Sequence, residues 1–212
     1  MFYDITKRFI DIVGAVVLII VFSPILILFP ILIKLDSLGP VFADIPHRVG
    51  RYKKLFRMYK FRSMIANAHD LLRTDPKFRR LYEQYKKNSY KLKEDPRITK
   101  VGMVLRRFSL DELPQVFNIL KGEMSLVGPR AYYPDELEQQ QKVYPETKKY
   151  VKEILEAKPG ITGYWQVMGR SEINFDKRVR MDAKYVRKKS ILQDIIIILK
   201  TPWAMISGKG AL

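Results

Sequence analysis

No cysteine occurs among the 212 residues, which excludes disulfides, a thiolate nucleophile and any cysteine-ligated zinc. Histidine is almost as scarce. His47 and His69 are the only two, too few for a three-histidine metal site within one chain, and both read as surface or loop residues. The Gly-rich Walker loop and the G-x-G-x-x-G run are missing too, so the ordinary nucleotide-binding fingerprints do not apply. Acids are in deficit: 22 Asp and Glu face 39 Lys and Arg, for a formal charge of +17. A pI near 9.9 calls for an anionic partner, whether nucleic acid, anionic lipid or a phosphorylated substrate. What remains for chemistry is carboxylate, lysine and arginine, with a divalent cation such as Mg²⁺ available to them.

The stretch that concentrates those groups runs from Arg106 to Arg130. It sets Asp111 and Glu112 side by side, with Arg106 and Arg107 before them and Arg130 after. Pro114 suits the first position of a short helix, because its missing N–H would have no partner there. Leu113, preceding a proline, is expected outside the α region. Val116, Phe117 and Leu120 supply an apolar face, and Gly122 a stop. The acidic pair thus falls at the positive end of a helix, where ionised carboxylates and phosphates are both favoured. Ser109 to Glu112 also spells a capping box, which explains the same residues without any chemistry. Val127-Gly128-Pro129-Arg130 then makes a tight turn whose arginine suits bidentate contact with a diphosphate.

Elsewhere the chain divides by composition. Phe9 to Ile33 is almost wholly apolar, with Asp11 as its single charge. It is long enough to span a bilayer, which takes about 20 residues. It is also too long for a cleavable signal and lacks a small-residue cleavage site. Ser23-Pro24 interrupts it near the middle, and the serine hydroxyl can take a carbonyl that the proline frees. Lys7 and Arg8 precede the run and Lys34, Arg48, Arg51, Lys53 and Lys54 follow it, so both ends prefer the cytoplasmic side. The reading is a re-entrant membrane hairpin over 1–39, with a straight span as the alternative, and a cytoplasmic domain over 40–212 resting on the interface.

His47 to Arg62 holds seven basic residues and no acid, interleaved with aromatics as in a short strand pair. Most of it reads as a face lying on anionic lipid headgroups, with Lys60 and Arg62 the candidates for a ligand phosphate. Helical spacing recurs at Ile65–Leu72, at Phe78–Tyr85 and at Val101–Phe108, the last capped by Thr99. Residues 135–157 form a polar helix, with Val151, Ile154 and Leu155 inward. Lys158 to Gln166 looks like a glycine-rich loop and a strand. Asp176 to Ser190 is a second basic helix, and Ile195 to Leu199 with Trp203 suits an interfacial amphipathic helix. The fold class is α+β, mostly helical with a few short strands.

These motifs together resemble the bacterial sugar transferase family, the monotopic polyprenyl-phosphate phosphoglycosyl transferases. The likeness rests on Ser23-Pro24 in the membrane run, Tyr59–Met64 (YKFRSM), Arg107–Gln115 (RFSLDELPQ), Lys121–Arg130 (KGEMSLVGPR) and Lys158–Gln166 (KPGITGYWQ). It covers essentially the whole chain and implies the catalytic region alone, without the extra spanning helices of larger members. The length of Asn67–Pro96 is similar to that of the hexose-1-phosphate transferases for capsule and O-antigen. Ile45-Pro46-His47 departs from the glutamine-containing run expected before Arg48.

The resemblance implies a two-step reaction at the cytoplasmic face of the bacterial inner membrane. Asp111 attacks the sugar-linked phosphorus of a UDP-sugar and releases UMP; polyprenyl phosphate then takes the phospho-sugar from the aspartate. It further implies Glu112 as base or positioner and Mg²⁺ on Asp111. Lys60, Arg62, Arg106, Pro129, Arg130 and Gln166 are implied at the substrates. No nucleic-acid partner is expected, and the oligomeric state is open, a homodimer included. Two other classes compete: a Mg²⁺-dependent nucleotide-sugar phosphohydrolase, and a membrane-tethered basic nucleic-acid binder.

Overall fold

The computed structural model describes residues 2–87, 92, 94–169 and 173–206. It opens with two helices, α1 (Phe2–Val21) and α2 (Ser23–Asp36), bent by 62° at the break between them. The sequence dictates that break. Pro24 stands at the start of α2, and the Ser23 hydroxyl donates to the Ile20 carbonyl at 2.8 Å. Among the described residues no single helix is long and apolar enough to cross a membrane, whereas the bent pair together has the length and composition to do so.

One face of α1 is buried and the other is not. Asp11 and Ala15 face inward, and Gly14 sits where an added Cβ would come within 2.5 Å of a Leu126 methyl. Phe2, Ile5, Phe9, Val17 and Ile20 face outward and are exposed. Asp11, the lone charge of the apolar run, is 2% exposed. It accepts from the Ser125 hydroxyl at 2.8 Å and from the Leu126 amide at 2.9 Å, which locks α1 to the strand that follows the acidic pair.

After α2 the basic run forms the expected strand pair, β1 (Arg48–Val49) antiparallel to β2 (Leu55–Phe56). Helices α3 (Ala68–Thr74), α4 (Arg79–Lys87) and α5 (Lys100–Arg107) come next. Thr99 caps α5 by accepting from the Gly102 amide, and Asp36 at the end of α2 accepts from the Val101 amide. Gly102 is required there, since an added Cβ would lie 1.9 Å from the Ser63 carbonyl oxygen. Of the apolar face expected on α5 only Leu105 is buried; Val104 and Phe108 are exposed.

A 3₁₀ turn over Leu110–Glu112 leads into α6 (Gln115–Lys121). Gly122 ends α6 with φ 79°, the left-handed conformation that glycine adopts freely. Two expectations fail here. Ser109 has φ 54° and makes no capping bond, so there is no capping box. Leu113 is α-helical, φ −52° and ψ −40°, although proline follows it. The cause is continuity: the amides of Glu112 and Leu113 bond back to Ser109 and Leu110, so the turn winds directly into α6. The apolar stripe is also rotated, with Val116 and Ile119 buried and Phe117 outside.

The rest of the chain is β3 (Ser125–Val127), α7 (Pro134–Val143), α8 (Lys148–Ile154), β4 (Gly160–Thr162), α9 (Tyr164–Met168), α10 (Phe175–Lys188) and α11 (Ile191–Ile206). The polar helix expected over 135–157 is split, because Pro145 cannot continue α7. Strand β3 runs parallel to β4, with Ser125 opposite Gly160 and Val127 opposite Thr162. The main core gathers Ala15, Val116, Ile119, Leu126, Tyr185 and Ile197, so α1, α6, β3, α10 and α11 share one interior.

Asp11 is the tie that can be cut cleanly. Asp11→Ala strands the buried Leu126 amide, and we expect it to cost about 3 kcal/mol of stability. Asp11→Asn keeps an acceptor oxygen and should cost less than half of that. Denaturant unfolding in detergent checks both, and wild-type stability for the alanine variant contradicts the packing described.

Candidate functional site

The acidic pair opens onto a cleft of about 830 Å³. Three local structures aim groups into it. The first is the 3₁₀ turn, whose Asp111 carbonyl accepts the Phe61 amide at 2.9 Å. That bond lays the Lys60 segment across the turn. Lys60 Nζ then sits 2.6 Å from Glu112 Oε1 and 3.6 Å from Asp111 Oδ2. Asn118, fully buried on α6, holds the segment from the other side. It accepts from the Tyr59 amide and donates to the Arg57 carbonyl and to Glu123. Its role was missed, although an asparagine between apolar neighbours on a short helix is the signal for such a tie.

The second is the turn after β3. The Pro129 carbonyl accepts the Gly160 amide at 2.9 Å, so Pro129 shapes the turn and Arg130 occupies the cleft wall. The third is α9, which puts Trp165 and Gln166 on a helix where a strand was expected. Gln166 donates to the Ile161 carbonyl, leaving Oε1 buried without a partner among the described residues. Arg106, at the end of α5, also lines the cleft and lies close enough to favour the charged form of Asp111.

One lysine serves two acids, and the outcome is unequal. Burial, chiefly, raises the Asp111 carboxyl above the ordinary carboxylate range; Lys60 opposes this and Glu112 reinforces it. Glu112 is also opposed by burial, yet the charge and hydrogen bond of Lys60 hold it below its usual value. Glu112 is therefore the settled anion and Asp111 the basic, poorly compensated one. Among the described residues no group of three or more His, Asp or Glu is arranged to hold a metal ion.

The other predicted residues divide. Arg62 turns away from the acids and donates to the carbonyls of Leu38, Ile33 and Ser37 and to the Ser37 hydroxyl, at 2.5, 3.3, 2.6 and 3.1 Å. It caps the last turn of α2. Arg48, read with the headgroup-facing residues, is instead buried in the cleft wall, its guanidinium carbon 3.3 Å from the centre of the Tyr133 ring. His69 lines the cleft as well, and burial with the charges of Arg73 and Arg48 pushes its imidazole down to about 4. Lys53, Lys54 and Arg57 are exposed, as expected of most of the run.

The cleft has a second, apolar side. Leu18 of α1 and Phe22, in the break that follows it, line this side together with Ile198, Pro202 and Met205 of α11. The hydroxyls of Thr162 and Thr201, 2.8 Å apart, join β4 to α11 along this wall.

Comparison with known proteins matches residues 2–208 to the family described as bacterial sugar transferase. The chain is 45% identical to an uncharacterized sugar transferase of Haemophilus influenzae, over 98% of this chain and 42% of that protein. It is 43% identical to the undecaprenyl-phosphate galactose phosphotransferase of Salmonella typhimurium, over 97% of this chain and 41% of the relative. With the exopolysaccharide production protein ExoY of Sinorhizobium fredii it shares 38% identity, over 98% of this chain and 88% of the relative. The chain thus spans less than half the length of the first two.

Two arginines of the same basic run test the geometry. Arg62→Met should lower stability by about 3 kcal/mol, because three carbonyls in the last turn of α2 and just beyond it lose a charged donor. Arg57→Met, at an exposed position, should stay within about 0.5 kcal/mol of wild type. Equal unfolding midpoints for the two variants contradict the cap.

Proposed function

The chain belongs to the bacterial sugar transferase family, and we propose that it moves a phospho-sugar from a UDP-sugar to polyprenyl phosphate, releasing UMP. The observation that carries this is the buried, under-neutralised Asp111 at the junction of a cationic floor and an apolar wall. A nucleotide diphosphate needs the first surface and a polyprenyl chain the second.

In the first step an Asp111 oxygen attacks the sugar-bearing phosphorus. The bond from that phosphorus to the UMP oxygen breaks, and UMP leaves with the electron pair. In the second step a phosphate oxygen of polyprenyl phosphate attacks the same phosphorus, and the aspartyl carboxylate is regenerated. The raised pKa of Asp111 makes it a better nucleophile than an ordinary carboxylate, while Glu112, held ionised by Lys60, positions that lysine. Lys60, Arg106 and Arg130 hold the phosphate oxygens, and Gln166 Oε1 is free for a donor group of the nucleotide or sugar. Two carboxylates suit Mg²⁺, which takes one or two protein oxygens and otherwise substrate phosphates and water; Asp111 would hold it. When bound, the ion supplies charge neutralisation at the phosphoryl oxygens. Arg62 is reassigned here from phosphate ligand to helix cap. The galactose in the name of the Salmonella relative supports a hexose donor.

Membrane placement follows the same physics. The outward residues of α1 and α2 and the exposed Leu192, Ile195, Leu199 and Trp203 of α11 make an apolar surface too broad to leave in water. We read the 62° bend as a re-entrant hairpin on the cytoplasmic face of the inner membrane, with Trp203 as an interfacial anchor. The lipid phosphate stays at headgroup depth, so the catalytic carboxylate has to sit there as well.

With UDP-galactose and undecaprenyl phosphate, Asp111→Asn should lower UMP release by at least about a thousandfold. The wild-type rate should fall on acidification at a pH above the ordinary carboxylate range, since the attacking oxygen must be unprotonated. Wild-type UMP release by Asp111→Asn contradicts the proposal.

A further inference from the structure

Helix α10 reads as a basic surface helix, yet two of its charged residues never reach the surface. Arg178 and Asp182, one turn apart, are both 0% exposed. Among the described residues none of the three guanidinium nitrogens of Arg178 has a hydrogen-bond partner, and neither Asp182 Oδ1 nor the buried Glu136 Oε2 has one. Such groups cost stability wherever apolar side chains would fit, so their presence asks for a use.

Their surroundings lead to the cleft. The guanidinium carbon of Arg178 lies 5.0 Å from the centre of the Trp165 ring, and that of Arg130 lies 5.7 Å from the same ring. The two also flank the Tyr132 ring, at 5.9 and 6.0 Å. Asp182 Oδ2 accepts the backbone amide of Arg130 at 3.0 Å. Trp165 and Arg130 line the cleft; Arg178 and Asp182 stand behind them. Arg48, Arg130 and Arg178 meet Glu136 and Asp182 here, Glu112 faces Arg48 and Arg130 from the cleft, and burial pushes the Asp182 carboxyl up to about 7.

We propose that Arg178 and Asp182 are positioning residues for the nucleotide donor. Asp182 fixes the Gly128–Arg130 turn through the Arg130 amide, and Arg178 braces Trp165, so the Arg130 guanidinium is set before the diphosphate arrives. This rests on the UDP-sugar reading given above. Ordering the arginine in advance removes an entropic cost from binding, so the effect belongs in donor affinity.

The test is a double-mutant cycle on the full chain, with UDP-galactose as donor and UMP as product inhibitor. Arg178→Met, with folding checked by circular dichroism, is expected to raise the donor KM about tenfold and weaken UMP inhibition similarly, with kcat within about threefold of wild type. In an Arg130→Gln background the same change is expected to add less than twofold, because the residue it acts through is gone. A folded Arg178→Met with unchanged KM, a loss confined to kcat, or full additivity with Arg130→Gln overturns the proposal. Should Arg178→Met not fold, Trp165→Phe, which trims the ring shared by the two guanidinium groups, is read by the same cycle against the same outcomes. Absence of UMP release by the wild-type protein would instead sink the transferase reading, and this inference with it.

Discussion

One ammonium group shared between two adjacent carboxylates sets the character of this molecule. Lys60 reaches Glu112 at 2.6 Å and Asp111 at only 3.6 Å, so it settles one acid and leaves the other short of compensation in a buried place. The arrangement depends on backbone more than on side chains. The Phe61 amide on the Asp111 carbonyl fixes the distance between lysine and acids, and Asn118 fixes the lysine segment to α6. In the transferase reading proposed above, a carboxylate kept basic by dry surroundings would be the nucleophile, and the arginines that line the cleft would supply the charge that attack on a phosphorus needs.

The same economy places the site. Helix α1 contributes Ala15 to the main core, Asp11 to the β3 tie and Leu18 to the cleft wall, while its other face stays apolar and exposed. One helix therefore joins the turn that carries the acidic pair to the exposed apolar surface. The bend at Ser23-Pro24 and the Arg62 cap at the far end of α2 hold the second helix of the bent pair against Phe61 and Leu105. Because Phe61 is also the residue whose amide meets Asp111, the bent pair and the acidic pair are coupled through adjacent bonds.

Much of this was legible in the sequence where local chemistry decides the outcome. Ser23-Pro24 breaks a helix by removing an amide, Thr99 caps one with its hydroxyl, and Gly122 stops one with a positive φ; none of these depends on distant residues. The acidic pair at the start of α6 and the Arg130 turn were visible for the same reason. What stayed hidden were the fates of like residues in different tertiary settings. Arg48, Arg57 and Arg62 are equivalent in a basic run, yet one stacks on Tyr133, one is exposed and one caps α2. Arg178 looked like its solvated neighbours on α10 because nothing local marks a buried guanidinium. Leu113 defied its proline because two turn hydrogen bonds outweigh a local preference.

The most direct measurement follows the covalent bond. The protein is incubated with UDP-galactose in the absence of lipid acceptor, quenched, digested and mapped by mass spectrometry. The account predicts a hexose-phosphate adduct on Asp111 that disappears when polyprenyl phosphate is added before the quench. UMP release with no adduct, or an adduct carried by Glu112, would contradict it.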